Sequence, residues 1–250
     1  MKLTELLEII RQIAEEKGLS DCLIVGGAPR DRLIGSVEKL NDIDLTTGDN
    51  GIHYLAKEVA IKLQSPTTKY LLMSDKHARV MIGDLKLDFS SNFNIKNIEG
   101  ILKLMGIDNP TEMQKELYSR DFTCNTLLMS LDLKTIEDGT KRATKDIKNK
   151  LIRTCLPPEI TLGQDNKRVV RIIYLAAKLG FTIDPNIIEW VNNNPSSLSN
   201  VRADYLAKKI KKALAYNKEI TIKTIDKLGL WPYVPPLPEL VPYLTKVWRV

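Results

Sequence analysis

The sequence predicts an α+β protein: an N-terminal domain with a small mixed sheet and helices, followed by an all-helical domain. Three observations lead to this prediction. Residues 23–47 contain two apolar strand-like runs separated by a Gly26-Gly27 turn and a helix start, and residues 78–89 have the alternating pattern of a β-hairpin. Beyond the charged connector near residue 143, the apolar spacing is helical and is interrupted by proline-containing stretches. The expected domains are 1–142 and 143–250.

The first element is predicted to be an amphipathic helix. Residues 3–17 place apolar side chains at helical spacing, and Gly18 is a natural C-terminal stop. Acidic residues inside this pattern argue against a signal peptide, and no window has the ~20 apolar residues that a membrane span needs. We therefore expect no membrane association.

The cysteine and histidine content limits the chemistry of the chain. Cys22, Cys124 and Cys155 are widely spaced and form no CxxC pair, which favours reduced structural thiols, a cytoplasmic location and no zinc site. His53 and His77 are too few for a histidine-based metal cage. Any metal is therefore expected to be bound by carboxylates.

The positive charge is concentrated near the C-terminus. The net charge is +6, and the residues from Arg202 onward contain ten Lys or Arg and four Asp or Glu, so the first 201 residues balance to zero. A basic C-terminal part favours an anionic partner such as nucleic acid, although lysines on the polar face of an amphipathic helix give the same pattern. The candidate RNA contacts are Lys208, Lys209, Lys211 and Lys212.

The motif DID at 42–44 is the clearest candidate for chemistry. Asp42 and Asp44 are at positions i and i+2, so on a strand both carboxylates point from one face, as a divalent-metal site requires. The preceding Gly26-Gly27 turn would let the backbone approach a phosphate closely. A lone DxD is usually a solvated turn and a lone GG is usually only a turn. Their combination around Arg30-Asp31 is more specific.

Three ordered segments resemble the tRNA nucleotidyltransferase and bacterial poly(A) polymerase family. GGAPRDRLIG followed by DIDL is similar to the family's GGxVRDxLLG and DxDL, with Pro29 at the usual valine position. SRDFTCN at 119–125 is similar to RRDFTxN, and QDNKRVVRIIYLAAKLGF at 164–181 is similar to EDPxRxLRxxRFAAKLGF. The resemblance covers about 23–240 and is to the class II type, with head and neck only.

The resemblance implies a fold and a metal site. It implies a polymerase β-like nucleotidyltransferase head followed by a helical neck, with two Mg²⁺ ions held by Asp42 and Asp44. Asp88, on the second strand of the predicted hairpin, is a candidate third carboxylate; a strand-end aspartate facing water explains it equally well.

The resemblance also assigns residues to the nucleotide. Gly26, Gly27, Arg30 and Arg120 would position the triphosphate, Asp121 would lie beside the metal–nucleotide site, and Asn125 near the sugar. Asp165 and Arg168, with Arg171 on the same side of the helix, would read the edge of the base. The alternatives are a structural Arg120–Asp121 ion pair and a solvated helix face. The residues implied to bind nucleotide are Gly26, Gly27, Arg30, Asp31, Arg120, Asp121, Asn125, Asp165, Arg168 and Arg171.

Several positions depart from the family pattern. Ser119 replaces the first arginine of RRDFT, Gln164 replaces the glutamate of EDPxR, and Tyr174 replaces a third arginine on the same helix. The loop predicted at 90–110 contains lysines but no arginine. The sequence therefore leaves open whether the product is CC, A, full CCA or a poly(A) tail.

The implied reaction is template-independent addition of C and/or A from CTP or ATP to tRNA 3′ ends, with release of pyrophosphate. Alternatives are poly(A) polymerase-like tailing of other RNAs, nucleotidyl transfer to a non-RNA acceptor, and a non-catalytic RNA-binding relative. The expected partner is RNA, most simply the tRNA acceptor end. The family's body and tail have no counterpart in this sequence, so a protein partner or a homodimer is a further expectation.

Overall fold

A computed structural model describes residues 2–19, 21–36, 40–72, 78–90 and 95–243. His77 and residues 91–94 of the predicted loop lie outside the described residues. The chain divides into two compact units, Met1–Lys145 and Asp146–Val250, and each is described separately. The boundary expected from the sequence lay between Arg142 and Ala143.

The first unit is built on a seven-stranded mixed sheet with the order β3-β4-β5-β2-β1-β6-β7. Strand β2 pairs in parallel with β5, and the other pairs are antiparallel. The strands are β1 (Leu23–Val25), β2 (Asp42–Thr46), β3 (Thr68–Leu72), β4 (Ala78–Ile82), β5 (Leu85–Phe89), β6 (Leu127–Met129) and β7 (Ile136–Asp138).

Helices cover both faces of this sheet. They are α1 (Leu3–Glu16), α2 (Gly27–Leu33), α3 (Gly51–Lys62), α4 (Ile98–Leu104) and α5 (Glu112–Ser119). On one face, α1 and α3 pack against inward-facing strand residues such as Ile24, Leu45 and Phe89, all completely buried. The opposite face of β1 carries Val25, which packs with Leu117 of α5.

Local sequence features explain where these helices begin and end. The amphipathic helix predicted at 3–17 is confirmed as α1, and Gly18 follows it with φ of +61°. Helix α5 begins with a capping box, in which Thr111 Oγ1 accepts from the Gln114 amide and Gln114 Oε1 accepts from the Thr111 amide. The hairpin predicted at 78–89 is confirmed as β4 and β5.

The second unit is helical, as predicted, apart from one pair of two-residue parallel strands, β8 (Leu151–Ile152) and β9 (Thr182–Ile183). Helix α8 (Lys167–Leu179) is the most buried helix in the described part of this unit, since seven of its thirteen residues are buried. Among the described residues, no helix is long and apolar enough to cross a membrane. The other α-helices described here are α6 (Ala143–Lys148), at the boundary, α7 (Pro158–Gln164), α9 (Pro185–Asn193), α10 (Ala203–Tyr216) and α11 (Lys218–Lys227).

The structure corrects two element predictions. The segment 90–110, expected to be a loop, contains helix α4, which buries Ile98 and Leu102. The predicted helix from Arg168 begins at Lys167, and Asp165 lies before it in extended backbone with φ of −149°. Asp165 therefore does not share a helix face with Arg168 and Arg171.

Candidate active site

Asp42 and Asp44 lie on one face of β2, in the middle of the sheet. Ile43 and Leu45, which alternate with them, are completely buried on the opposite face, whereas Asp42 is exposed and Asp44 half-buried. The shared face expected from the i, i+2 spacing is therefore present. The same face of β1 carries Val25, which pairs with Asp44 and is covered by α5.

A third carboxylate and two cations complete this face. The parallel register of β2 and β5 places Asp88 beside Asp44 and Lys86 beside Asp42. Arg79 Nε and Nη2 donate to the two oxygens of Asp88 at 2.5 and 2.9 Å. Lys86 Nζ lies 2.6 Å from Asp42 Oδ1 and 3.4 Å from Asp88 Oδ2. This carboxylate face therefore already carries two positive charges.

Electrostatics link Arg79 to all three carboxylates. Its hydrogen bond to Asp88 raises the pKa of the Arg79 guanidinium, and the negative charges of Asp88, Asp42 and Asp44 act in the same direction against partial burial. The sequence analysis missed Arg79 and Lys86. The available signal was their place in the hairpin, where residues two apart, such as Lys86 and Asp88, share a face.

The carboxylate face suits a hard divalent cation. Asp42 and Asp44 supply carboxylate oxygens, the ligands that Mg²⁺ prefers, and they already attract Lys86 and Arg79. Within the described part of the chain, no group of three or more His, Cys, Asp or Glu side chains is arranged to hold a metal. Asp88 is engaged by Arg79, so its role as a third ligand stays a prediction.

The Gly26-Gly27 turn lies directly against Asp44. Gly26 precedes α2 with φ of 81° and ψ of −131°, a conformation that favours glycine. A Cβ at Gly26 would be 2.4 Å from Asp44 Oδ2, and one at Gly27 would be 3.2 Å from Arg30 Nη2. The absence of side chains is what allows the backbone to reach the carboxylate.

Arg30, which follows this turn, links the GGAPRDRLIG segment to the SRDFTCN segment. Its side chain is 4% exposed, and its Nε donates to Asp31 Oδ1 at 2.8 Å. Its Nη1 donates to Asn125 Oδ1 at 2.5 Å, and Asn125 Nδ2 donates to Asp121 Oδ1 at 3.0 Å. Asp121 and Asn125 are also buried. The structure thus brings together four predicted nucleotide-binding residues as an internal network, and their direct contact with nucleotide stays a prediction.

Arg120 is held beside Asp44 by a residue that the sequence analysis missed. Both its Nε and its Nη2 donate to Glu116 Oε1, one helical turn earlier, and Thr46 Oγ1 of β2 donates to Glu116 Oε2. Burial acts to lower the pKa of Arg120, but the negative charges of Glu116, Asp44 and Asp121 outweigh it and raise the pKa. The alternative from the sequence was an Arg120–Asp121 ion pair; in the structure, the ion pair of Arg120 is formed with Glu116. The i, i+4 spacing was the available signal.

Ser119 has a structural role at the position of the family's first arginine. It is 3% exposed, its hydroxyl donates to the Lys115 carbonyl at 2.7 Å, and it accepts from the Ile95 amide at 3.1 Å. Ser119 therefore holds the backbone of Ile95, which lies three residues before the start of α4.

In the second unit, the predicted base-reading residues are separated by the start of α8. Asp165 Oδ1 accepts from the Lys167 amide at 3.0 Å and so caps the first turn of the helix. Arg168 Nη1 donates to the Thr161 carbonyl of α7 at 3.1 Å, and Arg171 is exposed. Their role in base selection stays a prediction.

The predicted RNA-contact lysines lie together on α10. Lys208, Lys211 and Lys212 are exposed and Lys209 is half-buried. They belong to the second unit, and their contact with RNA stays a prediction.

The first unit thus combines a mixed sheet, paired aspartates on the central strand β2, a glycine turn beside Asp44 and a buried network of Arg30, Asn125 and Asp121. The family described as the poly A polymerase head domain matches residues 22–153, and the chain belongs to that family. The resemblance inferred from the three motifs is confirmed.

Individual relatives agree with this assignment. A tRNA nucleotidyltransferase of Schizosaccharomyces pombe is 26% identical over 210 residues, which cover 77% of this chain and 43% of that protein. A CCA-adding enzyme of Levilactobacillus brevis is 24% identical, covering 92% and 55%. A crystal structure of a tRNA nucleotidyltransferase with a primer tRNA and an incoming ATP analogue gives a TM-score of 0.68 at 26% identity, covering 96% and 66%. The chain thus spans about half the length of the two sequence relatives.

Proposed function

We propose that this protein is a template-independent RNA 3′-terminal nucleotidyltransferase that adds C and/or A from CTP or ATP to tRNA 3′ ends and releases pyrophosphate. The observation that carries the proposal is the pair Asp42 and Asp44 on one face of β2, with Asp44 beside the Gly26 turn. Related structures that contain CTP, or primer tRNA with an ATP analogue, support the choice of substrates.

Asp42 and Asp44 are the residues that would hold two Mg²⁺ ions. Bound there, the ions would lower the pKa of the RNA 3′-hydroxyl and neutralise charge on the triphosphate. Because metal charge does this work, no protein nucleophile is required. Asp44 has its position fixed by the Gly26 turn on one side and by the pairing of β2 with β5 on the other.

The buried network gives Arg30, Asp121 and Asn125 a positioning role. Arg30 keeps the Gly26-Gly27 turn attached to the segment that carries Arg120, so the groups expected to face the triphosphate are mutually fixed. Arg120, whose side chain is 19% exposed, remains the cation of the second motif that would meet negative charge developing on the phosphate.

The first test is extension of tRNA transcripts that end before CCA, after C and after CC, each with CTP, ATP or both in the presence of Mg²⁺. Extension of any of them supports the proposal, and the products identify the specificity. Stepwise addition that stops at CCA indicates a CCA-adding enzyme, and single additions indicate a C- or A-specific enzyme. No extension of any RNA by folded protein contradicts the proposal and favours a non-RNA acceptor.

Poly(A) tailing of RNA is a second candidate function with its own support. The matching family is described as the poly A polymerase head domain. A long ladder of added A residues in the same assay, without termination after one A, would therefore identify tailing of RNA in place of CCA addition.

The carboxylate pair is tested by the double substitution Asp42→Ala and Asp44→Ala. We expect incorporation to fall by at least about 1,000-fold, because metal-based charge stabilisation contributes several kcal/mol to such reactions. Asp84→Ala, in the exposed β4–β5 turn, is the matched control and should retain activity. Full activity of the double variant would exclude the proposed metal site.

Base selection is tested by Arg168→Ala. If Arg168 donates to the incoming base, its loss should reduce discrimination between CTP and UTP by roughly 10- to 100-fold, the value of one good bidentate contact to a base. The total rate with saturating CTP should change less. Arg202→Ala, which removes an exposed arginine from the same unit, is the control. Unchanged discrimination by Arg168→Ala would remove Arg168 from the base-reading role.

A further inference from the structure

Three tyrosines and three lysines interleave on α8 and α10 of the second unit. On α10, the four residues Tyr205, Lys209, Lys212 and Tyr216 recur at spacings of three and four, so they form one stripe along the helix. Tyr174 and Lys178, one turn apart on α8, lie against that stripe. These six residues are called the tyrosine–lysine stripe.

Each lysine of the stripe lies over a tyrosine ring. Lys209 Nζ is 5.3 Å from the ring centroid of Tyr174 and 5.7 Å from that of Tyr205. Lys212 Nζ is 5.6 Å from the Tyr174 centroid.

Tyr216 completes the arrangement. Lys178 Nζ is 5.8 Å from the Tyr216 centroid, and the Tyr174 and Tyr216 rings meet edge to face at 5.7 Å. These are cation–π distances, so the rings hold the three ammonium groups in defined places.

The two helices that carry the stripe contain more basic than acidic residues. Helix α8 contains no acidic residue, and the one acid of α10, Asp204, is ion-paired with Arg202 at 2.7 Å. Lys209 and Lys212 are three residues apart on α10, about 4.5 Å along the helix axis at 1.5 Å per residue. Together with Lys178 of α8 they form a short cationic row, which suits neighbouring phosphates of a polyanion.

The contacts also indicate which part of a nucleic acid fits. The faces of the tyrosine rings are occupied by ammonium groups, so the rings serve to orient charge. An ordered row of ammonium groups complements phosphates, which carry no sequence information. Phosphate contact of this kind is sequence-independent and sensitive to salt.

We propose that Lys178, Lys209 and Lys212, oriented by Tyr174, Tyr205 and Tyr216, bind the phosphate backbone of the acceptor RNA. This inference rests on the proposed function, because it takes RNA as the ligand. It also separates Lys209 and Lys212 from Lys208 and Lys211, which the sequence analysis treated as equivalent.

The test compares two double variants of the full chain, Lys209→Ala with Lys212→Ala, and Lys218→Ala with Lys227→Ala. The second pair removes the same charge from exposed positions on α11 and is the matched control. The probe is a labelled tRNA transcript ending before CCA, and its dissociation constant is measured between about 50 and 200 mM KCl.

We expect Lys209→Ala with Lys212→Ala, the stripe pair, to raise the dissociation constant about 10-fold or more. The slope of log affinity against log salt concentration should become shallower by about 1.4 to 1.8, which is 0.7 to 0.9 for each lost phosphate contact. The control pair should change both quantities much less, and Lys208→Ala with Lys211→Ala should lose less than the stripe pair. Equal losses in the stripe and control pairs would overturn the proposal.

The orienting role of the rings is tested at Tyr174. Tyr174→Phe keeps the ring and should bind RNA as the unmodified protein does, whereas Tyr174→Leu keeps all lysines and should bind more weakly. Binding of CTP, measured in parallel, should be the same in both variants. Equal RNA affinity of the Leu and Phe variants would overturn the orienting role.

Failure of this inference is distinguishable from failure of the proposed function. If the unmodified chain extends tRNA and the stripe variants bind RNA as well as it does, only the stripe is excluded. If the unmodified chain neither binds nor extends RNA, the proposed function itself is excluded.

Discussion

Gly26 shows how one residue controls the geometry of the carboxylate face. Its backbone combines φ of 81° with ψ of −131°, and the space where a Cβ would lie is occupied by Asp44 Oδ2 at 2.4 Å. A side chain at Gly26 would therefore both strain the backbone and displace Asp44, a proposed metal ligand. Gly83 in the β4–β5 turn also has positive φ, of 58°, but a Cβ there would meet nothing within 4 Å.

This contrast gives a matched pair of substitutions. Gly26→Ala should lower nucleotide incorporation by about 100-fold, the effect of misplacing a reacting group by about 1 Å, and should also lower the melting temperature. Gly83→Ala should cost about 1–2 kcal/mol of stability from backbone strain and leave incorporation intact. Equal activities of the two variants, measured with a tRNA transcript and CTP, would show that Asp44 does not depend on the turn.

Glu116 shows how a residue outside the recognised motifs supports them. It is 3% exposed and receives Arg120 on one oxygen and Thr46 on the other. A buried carboxylate is tolerable only when its partners are in place, and here those partners are the end of β2 and the arginine of the second motif. Glu116 therefore couples the position of Arg120 to the strand that carries Asp42 and Asp44.

At the level of elements, the parallel pairing of β2 with β5 determines which charges surround the candidate metal site. Residues in register share a face, so Lys86 lies beside Asp42 and Asp88 beside Asp44. Strand β4 then adds Arg79 opposite Asp88. The three strands together produce a face of alternating acids and bases, and the bases occupy carboxylates that a cation would need.

Lys86 should therefore compete with Mg²⁺ for Asp42. Lys86→Met keeps the aliphatic stem and removes the charge, so the Mg²⁺ concentration for half-maximal incorporation should fall by up to about 5-fold, since an exposed ion pair is worth ~1 kcal/mol or less. Lys69→Met, on the exposed edge strand β3, is the control. A raised Mg²⁺ requirement in Lys86→Met would indicate that Lys86 supports the site.

Elements with a strong local pattern could be predicted from the sequence, and those defined by tertiary contacts could not. Helix α1 and the β4–β5 hairpin follow from periodicity alone. Strands β6 and β7 have three residues each, too few to show alternation, and they form by pairing in the sheet, β6 with β1 and β7 with β6. Helix α4 is seven residues long and is recognisable only from the burial of Ile98 and Leu102.

The same distinction applies to the candidate site. The Asp42–Asp44 face follows from spacing and the glycine turn from composition. The burial of Arg30 depends on Asn125, 95 residues later, and the charges around Asp88 depend on strand register. Neither contact has a local signature. Sequence motifs therefore indicated the candidate residues. The structure separated Asp42 and Asp44, which lie on one face of β2, from Arg30, Asp121 and Asn125, which contact one another in the interior.

For the whole molecule, the three cysteines provide a measure of packing in both units. Cys22 and Cys124 belong to the first unit and Cys155 to the second, and all three thiols are buried. Burial, together with the negative charge of Asp21, raises the pKa of the Cys22 thiol, so it stays protonated at pH 8, where an exposed cysteine is partly ionised. Because the thiolate is the reactive form, this burial protects the native protein.

We accordingly expect native protein at pH 8 to resist iodoacetamide, and denatured protein to be alkylated at all three cysteines. Peptide mass spectrometry after labelling at increasing urea concentrations then measures the alkylation of each cysteine, and so follows the unfolding of each unit separately. Cys22 and Cys124 should become reactive together, since both report on the core around the first unit's sheet, while Cys155 reports on the second unit. Rapid labelling of any one cysteine in the native protein would contradict the packing described for its unit, and separate transitions for Cys22 and Cys124 would show that the first unit does not unfold as one.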